Sequence, residues 1–170
     1  LCAPEGKRKN PFDFINDEDF ERIFDEMQRM FEKCNLGNLE LLNRFVFPPI
    51  KTAYGTPHGD VTDRQLTFYG QLAENGPGLL ILEPVAVTPD GREHPKQLCV
   101  HLPESTEQLK KIVDIIHDKD RLACLHLNHA GAAANPKATG SKSKAPSEIM
   151  CPTTGQQSDS LSEKEIQLIV

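Results

Sequence analysis

Three short apolar runs, Phe45-Val46-Phe47, Leu79-Leu80-Ile81-Leu82 and Leu122 to Leu127, punctuate a chain whose intervening segments repeat their apolar residues every three or four positions. Runs this short, bounded by Pro, Gly and Asn, suit strands of a parallel sheet covered on both sides, and the segments between them suit helices lying across it. The order strand–helix–strand–helix–strand demands crossover connections, which are right-handed almost by rule, and so it points to the α/β class. Strands are expected near 45–48, 79–83 and 122–127.

The first intervening helix runs from Thr62 to Glu74, with Leu66, Tyr69, Gly70 and Ala73 on one face and Thr62 placed to cap it. Asn75-Gly76-Pro77-Gly78 stops it, as Gly and Pro do after a helix. The second begins at Pro103-Glu104-Ser105, runs to about Asp118 and turns Leu109, Ile112, Val113 and Ile116 inward. Residues 36–42 alternate, and a hairpin with the strand at 44–47 is expected. Residues 128–160 read as one long loop, and Ser162-Glu163-Lys164-Glu165 opens a last helix.

Alternation alone fits an open, doubly wound sheet and a piece of a closed barrel equally. No G-x-G-x-x-G follows the first strand and no P-loop is present, which counts against the common nucleotide-binding open sheets. A closed (β/α)8 barrel takes about 250 residues, whereas this chain has 170 and starts at Leu1 rather than Met. That start is consistent with a trimmed or fragmentary sequence, whose alternating part is residues 34–170.

Residues 1–33 have a different character. A polar arm carries Lys7-Arg8-Lys9, and then Asn16 and Asp17 offer cap oxygens to an acidic first turn. Phe20, Ile23, Phe24, Met27, Met30 and Phe31 follow at helical spacing and form one apolar stripe on a charged helix. Such a stripe buries against the rest of the chain or against a partner.

A net charge of −6 and a pI near 5.5 argue against nucleic acid or an anionic membrane as partner. No membrane span or leader sequence is visible, so a cytoplasmic protein is expected. The five cysteines are scattered, with no C-x-x-C pair, which suits reduced structural thiols and no metal site.

In strand–helix folds the ends of the strands and the loops after them carry chemistry. Three segments qualify: Pro48 to Tyr54, Glu83-Pro84, and Leu125 to Gly131. All three would converge at one face of a parallel sheet. Lys51 offers a cation and Tyr54 a phenolic proton, although both are also ordinary loop residues. Glu83 ends an apolar strand, where a carboxylate needs partners. His126 and His129 invite a metal reading, but their spacing on a strand puts the rings on opposite faces. An inward His126 would instead face a bound anionic group, or sit buried and satisfied by backbone.

The segments LGNLELLNRFVFPPI, DVTDRQLTFYGQLAENGPGLLILEPVAVTPDGR, LACLHLNHAGAAANP and KAPSEI, in that order, resemble the N-terminal part of the Old Yellow Enzyme family of NADH:flavin oxidoreductases, on its dienoyl-CoA-reductase-like branch. The resemblance covers residues 30–170. It implies a (β/α)8 barrel holding FMN at the C-terminal ends of the strands, with NAD(P)H as reductant and an enone or enoyl compound as substrate. It further implies that Pro48, Pro49, Ile50 and Lys51 line the flavin ring, that Ala73 lies beside it, and that His126 stands where a Gln usually meets the pyrimidine edge. Tyr54 would be a substrate-side residue. Lys51 replaces a Thr or Cys, and Ala132 replaces the Arg of H-A-G-R. The family's His/Asn pair, its further Tyr and its phosphate-gripping Arg residues belong to downstream segments, so this chain by itself is expected to be inactive.

Residues 1–29 match nothing in that family and show a weaker resemblance to the N-terminal arm of an archaeal small heat-shock protein. Two unrelated pieces are expected to meet near Met30. The rival reading is a non-enzymatic assembly module in which the N-terminal helix drives self-association. A metal-dependent barrel hydrolase using His126 and His129 ranks behind both.

Overall fold

The computed structural model describes residues 17–101 and 103–169. The basic cluster at residues 7–9 and the Asn16 cap lie outside the described residues. Helix α1 spans Asp17–Phe31, and β1 (Cys34–Leu36) and β2 (Leu39–Leu41) follow it. Then come β3 (Val46–Phe47), α2 (Asp63–Asn75), β4 (Leu79–Ile81), β5 (Val85–Ala86) and α3 (Pro103–His117). The chain continues through β6 (Leu122–Cys124), β7 (Leu127–Asn128), α4 (Pro136–Thr139), β8 (Lys144–Ala145), β9 (Asp159–Ser160) and α5 (Glu163–Ile169).

Strands β3, β4 and β6 make a parallel sheet in that order, with Val46 opposite Leu79 and Leu79 opposite Leu122. Each new strand is laid beside the last one, without a reversal of order. Helices α2 and α3 pack against each other and against the same face of the sheet. Phe47, Leu80, Leu82 and Ala123 meet Tyr69 and Ala73 of α2 and Leu109, Ile112 and Ile116 of α3 there. Burying each large aliphatic side chain in this layer contributes about 2 kcal/mol. Sequential strand order with both helices on one face is the winding of a (β/α) barrel, and one half of a doubly wound sheet shares it. On the other face Val46 and Cys124 remain exposed.

Pairing continues beyond β4 and β6, but with a shift. Ile81 lies opposite Cys124, whereas Val85 lies opposite Leu127, so the first strand carries one extra residue. Leu82 N donates to Cys124 O at 2.8 Å, and the next ladder bond, Val85 N to His126 O at 2.9 Å, skips Glu83 and Pro84. Pro84 has no N–H to offer, and the result is a β-bulge that re-aims the strand end.

Three expectations need correction. Residues 36–42 do not pair with 44–47: β1 and β2 pair with each other, and Gly37 at φ 60° supplies the positive dihedral that the two-residue turn needs. This leaves β3 free to join β4. Residues 128–160 are not one open loop, because α4 and the parallel β8–β9 pair organise them. The stripe on α1 does not enter the core: Phe20, Phe24 and Met27 are 62%, 52% and 50% exposed. Helix α1 meets the body near its end, where Arg44 N donates to Met30 O at 2.9 Å and the Phe31 and Phe45 rings meet at 5.1 Å.

The last helix is capped as its sequence predicts. Ser162 N and Oγ both donate to Glu165 Oε2, at 2.8 and 2.7 Å, and Lys144 pairs with the other carboxylate oxygen. Lys144, with Ser162 behind it, holds the Glu165 carboxyl down to about 2. No helix among the described residues is long and apolar enough to cross a membrane.

Candidate functional site

The C-terminal ends of β3, β4 and β6 deliver Pro48–Thr52, Glu83-Pro84 and Leu125-His126 to one edge of the sheet, because parallel strands all finish on the same side. Pro48, Pro49 and Ile50 leave β3 with their side chains exposed. Lys51 forms an ion pair with Glu93. Both ends of that pair are solvent-accessible, which makes it a weak contributor to stability.

Glu83 is the most constrained residue of the site. It is 1% exposed, yet no cation pairs with it among the described residues. Its Oε1 accepts from Thr52 Oγ1 at 2.7 Å and from Gln65 Nε2 at 2.9 Å. Its backbone N–H, turned out of the ladder by the bulge, donates to the Tyr69 hydroxyl at 2.8 Å. Burial pushes the carboxyl above its ordinary range, and the Gln65, Thr52 and Tyr69 donors oppose that shift. Burial likewise pushes the Tyr69 phenol up. The expectation that Glu83 needs partners holds, but they are neutral donors.

Thr52 extends this network into the loop. Its Oγ1 also accepts from Tyr54 N at 3.2 Å, closing a short turn around Ala53, whose φ is 55°. A residue with a Cβ pays about 1–2 kcal/mol for that left-handed conformation, so the turn must hold it there.

His126 is half-buried, and its Nδ1 is buried without a protein partner, while its carbonyl takes the Val85 amide. Leu125 and Leu127 on either side of it are exposed, so strand alternation places His126 on the opposite face from both. His129 does not join it. Its Nδ1 accepts from Gly131 N at 3.1 Å, and its ring lies against Gly91, where a Cβ would come within 2.4 Å of Cδ2. Among the described residues no three His, Cys, Asp or Glu side chains gather as metal ligands.

The structure does not bring Tyr54 to this edge. Its ring packs on Phe68 of α2 at 5.8 Å and beneath the Arg64 guanidinium at 3.8 Å, because the turn at Ala53 sends the chain back over that helix. Ala73 is also corrected. It is wholly buried in the core between α2 and the sheet, and its carbonyl accepts from Arg121 Nε at 3.2 Å. Arg121 immediately precedes β6, so Ala73 sits toward the end of the sheet where the strands begin, away from the strand-end site.

Several residues of the site were invisible to sequence patterns. Gln65, Tyr69 and Gln97 read as ordinary helix or loop residues. Gln97 is buried; its Nε2 spans Pro84 O and Asn128 Oδ1 at 3.2 and 2.8 Å, and its Oε1 takes the Glu93 amide at 2.6 Å. Arg92, also buried, donates to the Pro57 and Pro95 carbonyls and ties those turns under the strand ends. Gln65, Arg92 and Gln97 lie in polar stretches of the sequence, so nothing in the pattern marked them as buried.

A parallel sheet wound with helices on one side, and a polar cluster gathered at its strand ends, fit a (β/α)-barrel enzyme. Residues 29–170 match the NADH:flavin oxidoreductase / NADH oxidase family, and the chain belongs to it. The chain is 31% identical over 143 residues to an NADH oxidase of Thermoanaerobacter brockii, covering 83% of this chain and 22% of that protein. It is 32% identical over 124 residues to the 4,4'-dithiodibutanoate disulfide reductase of Rhodococcus erythropolis, covering 72% of this chain and 30% of the reductase. Old Yellow Enzyme from a Pichia species superposes with a TM-score of 0.72 at 29% identity, over 82% of this chain and 39% of that one. The chain thus spans well under half the length of these relatives. Its strand–helix units are part of a (β/α)8 barrel of the Old Yellow Enzyme type, and the family's cofactor is FMN with NAD(P)H as reductant.

Proposed function

We propose that residues 34–170 form one wall of an FMN site in an ene-reductase-type enzyme. FMN held there would supply two-electron hydride chemistry between NAD(P)H and the activated alkene of an enone or enoyl substrate. The observation that carries the reading is the delivery of Pro48–Lys51 and His126 to the same edge of one parallel sheet, from the strands on either side of β4, in a chain of this family. The exposed Pro48, Pro49 and Ile50 side chains offer an apolar surface for a flat ring system. The unpartnered His126 Nδ1 is a polar atom that water or a ligand edge must satisfy. Lys51 would add positive charge near the edge where reduced flavin becomes anionic, once loosened from Glu93.

Among the described residues Tyr54, the phenol of the loop after β3, is committed to α2. In this reading the chain alone binds FMN weakly and turns over poorly. Fluorescence titration of FMN with the 170-residue chain tests both parts. Weak, saturable quenching, weakened several-fold further by His126→Ala, is expected. Stoichiometric yellow protein with brisk NADH oxidation would overturn the inactivity, and quenching indifferent to His126 and Lys51 would overturn the site. The free thiols at Cys34, Cys99, Cys124 and Cys151 favour a cytoplasmic setting.

A second reading rests on α1. Phe20, Ile23, Met27 and Met30 alternate at three- and four-residue steps on an exposed face, the spacing by which two helices pair. In this reading a second copy of the chain covers that stripe, and the half-barrel is its scaffold.

A further inference from the structure

We propose that Glu83 is the positioning residue of the flavin-facing loop, acting through Thr52 to hold Ala53 left-handed and so to set where Pro48–Lys51 stand. The role of the loop rests on the flavin reading above; the mechanical link does not.

The chain of contacts is continuous and specific. Glu83 is fixed from the α2 side by Gln65 and Tyr69, both fully buried. Gln65 is itself locked, because its Oε1 accepts from Thr62 N at 3.0 Å where α2 begins. From this anchored carboxylate one bond leads outward, 2.7 Å to Thr52 Oγ1, and from Thr52 another leads to Tyr54 N at 3.2 Å. Ala53, between them, sits at φ 55°, where an unsupported alanine would not stay. With its proton committed to Glu83, the Thr52 hydroxyl keeps a lone pair aimed at the Tyr54 amide. The donor Glu83 receives is what makes Thr52 an acceptor.

Thr52 and Gln65 both donate to the one oxygen, Glu83 Oε1, so the position needs a side chain that offers an acceptor there. The bulge at Glu83-Pro84 turns the side chain toward the loop and α2 while leaving β5 in register with β7. A feature that costs a ladder bond thereby couples the first strand's loop to the second strand's end.

The link predicts a local signature at one amide. In the ligand-free 170-residue chain, hydrogen exchange at Tyr54 N is the direct readout of the turn, with the α3 amides of Ile112 and Ile116 as the control. Thr52→Val and Glu83→Met should each speed Tyr54 exchange about tenfold with the α3 amides unchanged, and the double variant should be no faster than either single one. Ala53→Gly in the Glu83→Met background should restore most of the protection, because glycine takes a left-handed φ freely. Should Glu83→Met fail to fold, Thr52→Val carries the test, since it removes the hydroxyl that joins Glu83 to the Tyr54 amide. Unchanged Tyr54 exchange in Thr52→Val, or additive effects in the double variant, overturns the proposal. FMN titration of the same variants separates the two ideas. Faster exchange with no FMN binding by any variant sinks the flavin reading and leaves the clamp standing. FMN bound by the parent chain, with exchange indifferent to Thr52 and Glu83, sinks the clamp alone.

Discussion

Replacing Tyr69 by Phe removes one oxygen from the core and nothing else of consequence. The ring is fully buried and edge-on to Phe68 at 5.2 Å and 75°, and a phenylalanine keeps that contact. What disappears is the acceptor for the Glu83 amide. The amide cannot return to the ladder, because the bulge has turned it away from β6. A buried N–H left unpaired costs about 1–3 kcal/mol, and the small void adds only a fraction of that. We expect a loss of about 2 kcal/mol, which corresponds to a Tm lower by roughly 4–8 °C for a domain of this size. Urea unfolding followed by circular dichroism at neutral pH, with an unchanged m-value, is the assay. Tyr54→Phe serves as the control, because the ring contacts of Tyr54 with Phe68 and Arg64 survive in it. A Tyr69→Phe loss under about 0.5 kcal/mol, the usual scale for surface changes, would refute the view that this hydroxyl satisfies the bulge.

Gly78→Ala should destabilise the chain by about 1–3 kcal/mol, read from the same urea midpoint. A Cβ there would lie 2.7 Å from the Asn43 carbonyl oxygen, and the Asn43 side chain already bridges Gly78 N and Gly76 O. The Glu83 carboxyl, raised by burial, binds its proton more readily folded than unfolded. Its contribution is therefore fully present below the ordinary carboxylate range and is lost as pH rises through the raised value. Asp60, whose carboxyl is lowered by the Thr56 and Gln108 donors, runs the other way and loses its contribution as pH falls through its depressed value. Relative to Glu83→Gln, the parent chain should lose ground as pH rises from the ordinary carboxylate range through the raised value; a gain over that interval would show the sign to be wrong. Phe24→Asp on the exposed stripe of α1 should lower the sedimentation mass if a second copy covers that face, and an unchanged mass would dismiss the pairing.

The class of fold was legible because it depends on local regularities. Leu79–Leu82 is apolar throughout and bounded by Gly78 and Pro84, so a strand covered on both sides is almost the only use for it. The spacing of Leu109, Ile112, Val113 and Ile116 needed nothing but the helical repeat to be read. The strand-end loops could be nominated for the same reason, since parallel order alone sends Pro48, Glu83 and His126 to one edge.

What escaped was set by contacts between distant segments. Sequence could not say whether helices cover one face or two; that was decided by α2 and α3 meeting each other over Leu80 and Leu82. It could not foresee that one surplus residue at Glu83-Pro84 would turn an amide toward Tyr69, or that Ala53 would send Tyr54 onto α2 and out of the site. The α1 stripe was visible, but its exposure was not, because periodicity states which residues share a face and never what that face meets. Sequence by itself determined the alternation, the class and the edge where chemistry gathers, all encoded at separations of a few residues. Tertiary structure alone decided the winding, the buried Glu83 network and the fates of Tyr54 and Ala73, because each depends on which side chains long-range packing leaves within hydrogen-bonding reach.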